Sequence, residues 1–84
     1  MSVAVRLVYV LQSTVDERRH YVGLTNDVAR RLASHNAGAS QHTAALRPWR
    51  LIVSLEFANA QSAVAFEKYL KTGSGRAFAK RHFV

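Results

Sequence analysis

The sequence predicts an α+β domain built on a small, mostly antiparallel three-stranded sheet flanked by helices. Three observations predict it. The element order read from periodicity is strand, strand, helix, strand, helix, helix, which lacks the regular alternation of a doubly wound sheet. The strand segments are short and rich in β-branched and aromatic residues, whereas the helical segments repeat apolar residues one turn apart. With 84 residues the chain is a single domain, residues 1–84, with one modest core, because a chain of this size buries only about 60% of its unfolded surface.

Val5 to Gln12 places Val5, Leu7, Tyr9 and Leu11 on one face and Arg6, Val8, Val10 and Gln12 on the other. Both faces are apolar in the middle, which predicts a central strand. Ser13 to Arg19 is polar, and Arg19 to Thr25 returns as a second strand through an irregular loop, so Tyr9 and Tyr21 are expected as cross-strand neighbours. Asn26 or Asp27 caps a helix over Val28 to Asn36, with Gly38 beyond its end. Ala37 to Arg47 reads as a loop or ragged helix carrying His42 and Thr43. After Pro48, Trp49 to Phe57 forms a third strand, apolar on both sides. Asn59 caps a helix from Ala60 to Lys71 that Gly73 stops. Gly73-Ser74-Gly75-Arg76 is a helix-to-helix turn, and Ser74 caps a short last helix from Gly75 to His82 with Phe78 turned inward.

Twelve Lys and Arg against five Asp and Glu give a formal charge of +7 and a sequence pI near 10.9. Such a surface attracts polyanions. The longest apolar run, Leu7 to Leu11, is far short of the roughly 20 residues that cross a bilayer, so no membrane association is expected. Arg6 interrupts the N-terminal apolar stretch, which argues against a secretory leader. With no cysteine, neither a disulfide nor a thiolate zinc site supports the fold, which suits the reducing cytoplasm.

Several polar residues sit where apolar ones are expected. On the helix from Ala60, the residues Ala60, Ala63, Phe66 and Leu70 form one stripe, and Glu67 projects inside its edge. Glu67 is either half of an i, i+4 pair with Lys71 or a metal ligand. On the first helix, with Val28 at zero, Leu32 lies at about 40°, His35 at about 340° and Arg31 at about 300°. Arg31 and His35 therefore border the apolar stripe, while Arg30 points away. Tyr9 and Tyr21 taken singly read as core tyrosines. Gly23 shares the face of Tyr21 and leaves open space beside it, as where a ligand or another backbone comes close. No Gly-rich phosphate loop, zinc-spaced histidine pair or nucleophile elbow occurs.

Taken together, Leu7-Val8-Tyr9, Tyr21-Val22-Gly23 and the helix Asn26 to Asn36 resemble the GIY-YIG nuclease superfamily. The resemblance continues through His42-Thr43, Arg47-Pro48-Trp49-Arg50 and Phe66 to Lys71. It looks most like the small stand-alone bacterial members, related to the N-terminal domain of the excinuclease C subunit. Leu7 stands where the family has its first glycine, Val8 and Val22 stand for isoleucine, and no asparagine follows Asn59 to match the late one of some members. The resemblance implies that Tyr9 activates the attacking water as base or relay, Tyr21 positions water or phosphate, and Arg31 stabilises the phosphorane charge. It further implies that His35 bonds the phosphate or tunes a tyrosine, that His42 is a weaker candidate for the same neighbourhood, and that Glu67 holds one divalent ion, Mg²⁺ or Mn²⁺. The physics is coherent, because a phenol of ordinary pKa near 10 needs adjacent cations or a metal-bound water to move a proton at neutral pH.

The expected function is metal-dependent endonucleolytic hydrolysis of DNA, in repair or recombination. Arg31, His35, His42, Lys71, Arg76, Lys80 and Arg81 are the expected nucleic-acid contacts. The alternatives are a noncatalytic nucleic-acid-binding module that keeps the fold, and an accessory domain whose basic surface meets an acidic protein. Base specificity and oligomeric state are not legible, since basic side chains supply phosphate affinity alone.

Overall fold

A computed structural model of the chain describes residues 5–84. The elements follow in the order β1 (Leu7–Ser13), β2 (His20–Thr25), α1 (Val28–Asn36), α2 (Gln41–Ala44), β3 (Trp49–Glu56), α3 (Ala60–Leu70) and α4 (Gly73–His82). The strands make one sheet in the order β2-β1-β3, with both pairings antiparallel. Tyr9 faces Gly23 and Leu11 faces Tyr21 across the first pairing. The two tyrosines thus share a face but are offset by one pair, a register that the loop between the strands sets and the alternation alone does not. On the other side the ladder slips between Val10 and Leu11, where Ile52 is bulged out of register.

Because β1 is flanked by a strand on each side and by helices on both faces, Val8 to Leu11 are all buried. Each large side chain so buried contributes about 1.5–3 kcal/mol relative to exposure, which makes this strand the densest part of the fold. Its two faces serve two clusters rather than one core. Val8 and Val10 pack with Ala63 and Leu70 of α3, joined by Phe57, Phe66, Phe78 and Phe83. Tyr9 and Leu11 pack with Trp49, beside Tyr21, Val28, Leu32 and Leu46. β3 is an edge strand with Leu51 exposed, not a strand covered on both sides.

Local signals fix the helix ends. The Asp27 carboxylate accepts from the Arg30 N–H at 3.1 Å and the Asn59 side chain accepts from the Ser62 N–H at 2.8 Å, so both helices start on side-chain caps. The last helix differs from expectation. It begins at Gly73, capped by Thr72, whose hydroxyl accepts from the Gly75 N–H at 3.1 Å. Gly73 therefore opens α4 rather than only closing α3, and the supposed turn is the first turn of a helix. At the other end of the sheet the Asn36 side chain clamps Trp49, accepting from its N–H at 2.6 Å and donating to its carbonyl at 3.0 Å. That clamp ties the end of α1 to the start of β3.

Candidate active site

Tyr9 stands on the central strand opposite Gly23, and its ring lies over that glycine. A Cβ at position 23 would come within 2.5 Å of the Tyr9 hydroxyl. The missing side chain is therefore the space in which the phenol lies. From α1, one turn apart, Arg31 and His35 reach the same face. The rings of Tyr9 and Tyr21 are 6.1 Å apart, and His35 lies 5.9 Å from the first and 4.7 Å from the second.

A polar chain runs inward from the phenol. Tyr9 Oη and His35 Nε2 are 2.9 Å apart, His35 Nδ1 and Thr43 Oγ1 are 2.8 Å apart, and all three residues are 1% exposed. Trp49 Nε1–H donates to the Thr43 carbonyl at 2.8 Å, which pins α2 against the sheet. Electrostatics follow from this enclosure. Burial pushes the Tyr9 phenol above its ordinary value, and the Arg31 guanidinium pulls against that shift. Burial, assisted by the Arg31 charge, holds the His35 imidazole below its usual range, so it is neutral at pH 7. Arg31 itself is held above its ordinary value, chiefly by the Tyr9 hydroxyl. This corner combines a buried phenol, a neutral imidazole and a fixed cation.

Every acidic side chain has a polar partner. Asp16, Glu17 and Glu56 pair with Arg18, Arg50 and Arg6, and Asp27 caps α1. Glu67 makes the i, i+4 ion pair with Lys71 that its spacing allows. It is set apart by burial, its side chain being 13% exposed, and the Lys71 charge also reaches the Tyr9 phenol. Among the described residues no three His, Cys, Asp or Glu side chains cluster to hold a metal ion. A single carboxylate does not suit zinc, which takes three or four protein ligands, but it fits a hard divalent ion that keeps most of its waters.

The remaining expected residues divide. Lys71, Arg76 and Lys80 line an open groove of about 950 Å³ between the β1–β2 hairpin, the end of α3 and α4. Arg18 and Arg19 of the hairpin loop line it too, although no periodicity marks them out. Arg81 and His42 are exposed and lie outside that lining. It is Thr43, not its neighbour His42, that joins the tyrosine–histidine chain.

Residues 6–81 match the model of the GIY-YIG catalytic domain. The chain belongs to the GIY-YIG family. It is 42% identical over 65 residues to "Structure-specific endonuclease subunit slx1" of Aspergillus fumigatus, covering 70% of this chain and 15% of that protein. It is 43% identical over 67 residues to the protein of the same description from Scheffersomyces stipitis, covering 71% of this chain and 20% of that one. A "UPF0213 protein" of Streptococcus pneumoniae is 39% identical over 64 residues, 75% of this chain and 63% of that protein. The chain thus spans a minor part of the length of the fungal relatives it matches. No solved structure gives a significant match. Tyr9 and Tyr21 close the first and open the second of the tripeptides after which the family is described, and the antiparallel register shows what that pairing achieves: the glycine of one tripeptide holds the tyrosine of the other.

Proposed function

We propose that this GIY-YIG domain is a metal-dependent endonuclease that hydrolyses phosphodiester bonds in DNA, acting in repair or recombination. The observation that carries the reading is the buried Tyr9 phenol set between the His35 imidazole and the Arg31 guanidinium. Tyr9 activates the attacking water either as a phenolate that has already lost its proton to solvent or as a relay that passes its own proton on while accepting the water's. Tyr21 orients that water or a phosphate oxygen. Arg31 offers donors and fixed positive charge to the nonbridging oxygens as negative charge builds there. Glu67 would hold one divalent ion, Mg²⁺ or Mn²⁺, whose chemistry is to lower the pKa of bound water and neutralise developing charge. Lys71, Arg76 and Lys80, with Arg18 and Arg19, would carry the phosphate backbone along the groove. The cysteine-free composition supports a place in the cytoplasm.

One observation favours a second reading. Lys71 already neutralises Glu67, as expected of a noncatalytic module that kept the fold and the basic surface. Nicking of plasmid and branched DNA with Mg²⁺ or Mn²⁺, beside Glu67→Gln and Arg31→Ala, separates the two. The proposed function predicts a loss of at least about 100-fold in each variant. Salt-sensitive binding with no turnover in any of the three rejects it in favour of the second, and equal turnover in all three rejects the roles given to Glu67 and Arg31.

A further inference from the structure

We propose that Thr43 is a positioning residue for the cleavage chemistry: its hydroxyl donates to His35 Nδ1 and so fixes the imidazole with its proton on Nε2, turned toward the Tyr9 oxygen. The inference rests on the reading of Tyr9 as the group that receives the water's proton.

The donor inventory carries the argument. A threonine hydroxyl has one proton to donate, and one buried away from water needs an acceptor for it. Among the described residues the hydrogen-bond partner of Thr43 Oγ1 is His35 Nδ1 alone, at 2.8 Å. The Tyr9 hydroxyl, equally buried, makes the same demand on Nε2. A neutral ring accepts at one nitrogen only, and because the Tyr9 proton is given up in the proposed chemistry the acceptor is assigned to Nδ1, facing Thr43. The ring proton is then on Nε2, 2.9 Å from Tyr9 Oη, and the phenol oxygen accepts it. Which nitrogen carries the proton is set by the bond the other nitrogen makes, and here that bond comes from Thr43.

The consequence falls on Tyr9. Arg31 has donors and no acceptor, so both polar neighbours of the phenol oxygen offer it N–H groups. Both interactions strengthen when that oxygen becomes negative. The phenol's own proton is then the one left without a protein acceptor among the described residues, and in the proposed chemistry it leaves to water or to the substrate. In the other tautomer Nε2 would accept from Tyr9, and the phenol would spend its proton inward. Thr43 is held for this task by its backbone, since Trp49 Nε1–H bonds its carbonyl and its N–H donates to the Ser40 carbonyl at 3.2 Å.

The test combines ¹⁵N-histidine NMR with kinetics. At pH 8 the wild-type spectrum should show His35 with Nδ1 unprotonated and Nε2 protonated. Thr43→Val keeps the shape and removes the hydroxyl. It should lose that tautomer preference and lower kcat about tenfold or more at unchanged KM, and Thr43→Ser should restore both. A wild-type ring protonated on Nδ1 would overturn the proposal, and so would Thr43→Val with kcat within about twofold of wild type. The wild-type spectrum needs no variant to fold. Full activity in Tyr9→Phe would instead remove the proposed role of Tyr9 and the catalytic part of Thr43 with it, while the tautomer spectrum still reads the hydrogen bond itself.

Discussion

A methyl group at position 23 would meet the Tyr9 hydroxyl oxygen at 2.5 Å and Cζ at 2.6 Å. The neighbour it meets is the far end of a ring packed in a core, so the ring must leave its seat. Gly23→Ala is expected to cost about 1–3 kcal/mol of stability and to lower cleavage more than tenfold even well below its melting temperature. Thermal melts beside nicking assays check this, and wild-type activity in a destabilised variant would show that the phenol is not where the chemistry happens. His35 gives a pH signature. Because burial and the Arg31 charge hold its folded pKa below the ordinary 6.5, the unfolded chain takes up a proton there that the folded chain refuses. Its stabilising contribution is full above about pH 6.5 and is lost as the pH falls toward the folded value. Denaturant melts across that window should slope downward with acidification, and His35→Gln, though less stable, should lack that component. The side-chain candidates on α1 were legible because helical spacing is local. The link from Tyr9 to His35 spans 26 residues and the link on to Thr43 spans 8, and nothing in either segment announces the other.

Among the elements, α3 and α4 depend on one close approach. A Cβ on Gly75 would stand 1.7 Å from the Tyr69 carbonyl oxygen and 2.6 Å from Leu70 Cα. Backbone cannot step aside as a side-chain tip can, so Gly75→Ala should cost roughly 2–4 kcal/mol and displace α4 from Phe66. A lowered melting temperature with an altered Phe78 environment is the expected result, read by differential scanning and aromatic NMR. Helices α1 and α3 were readable from Asp27 and Asn59, since a cap and its first turn lie within a few residues. The start of α4 was not, because glycine usually ends helices and here the Thr72 cap and packing against α3 override that preference. A four-residue helix such as α2 is too short to establish any period at all.

For the whole molecule, the central strand divides the labour between two faces, phenol, imidazole and guanidinium on one and the α3–α4 cluster on the other. The basic groove is shared, since Tyr21 of the first group lines it with Lys71 and Arg76. Charge is the global variable that joins them. Arg76 and Lys80 are exposed, line the groove and make no ion pair among the described residues, so they are free to replace counterions on a phosphate backbone. Arg76→Ala with Lys80→Ala should reduce the slope of log affinity against log salt by about 0.9 per lost phosphate contact on duplex DNA, measured by fluorescence titration. An unchanged slope would move the substrate path off the groove. The α+β class and the strand order in sequence were accessible from periodicity, whereas the division into two clusters and the groove required the register.

That register gives the paired tripeptides a meaning in descent as well as in space. Position 23 is held to glycine by the phenol that leans over it, so a lineage that abandoned the phenol would free position 23 to drift, and one that filled position 23 would have to give up the phenol's seat. The two positions are therefore expected to change together. A relative that keeps tyrosine at the first and glycine at the second has preserved a working fit, and a relative that has lost either has begun to retire the site.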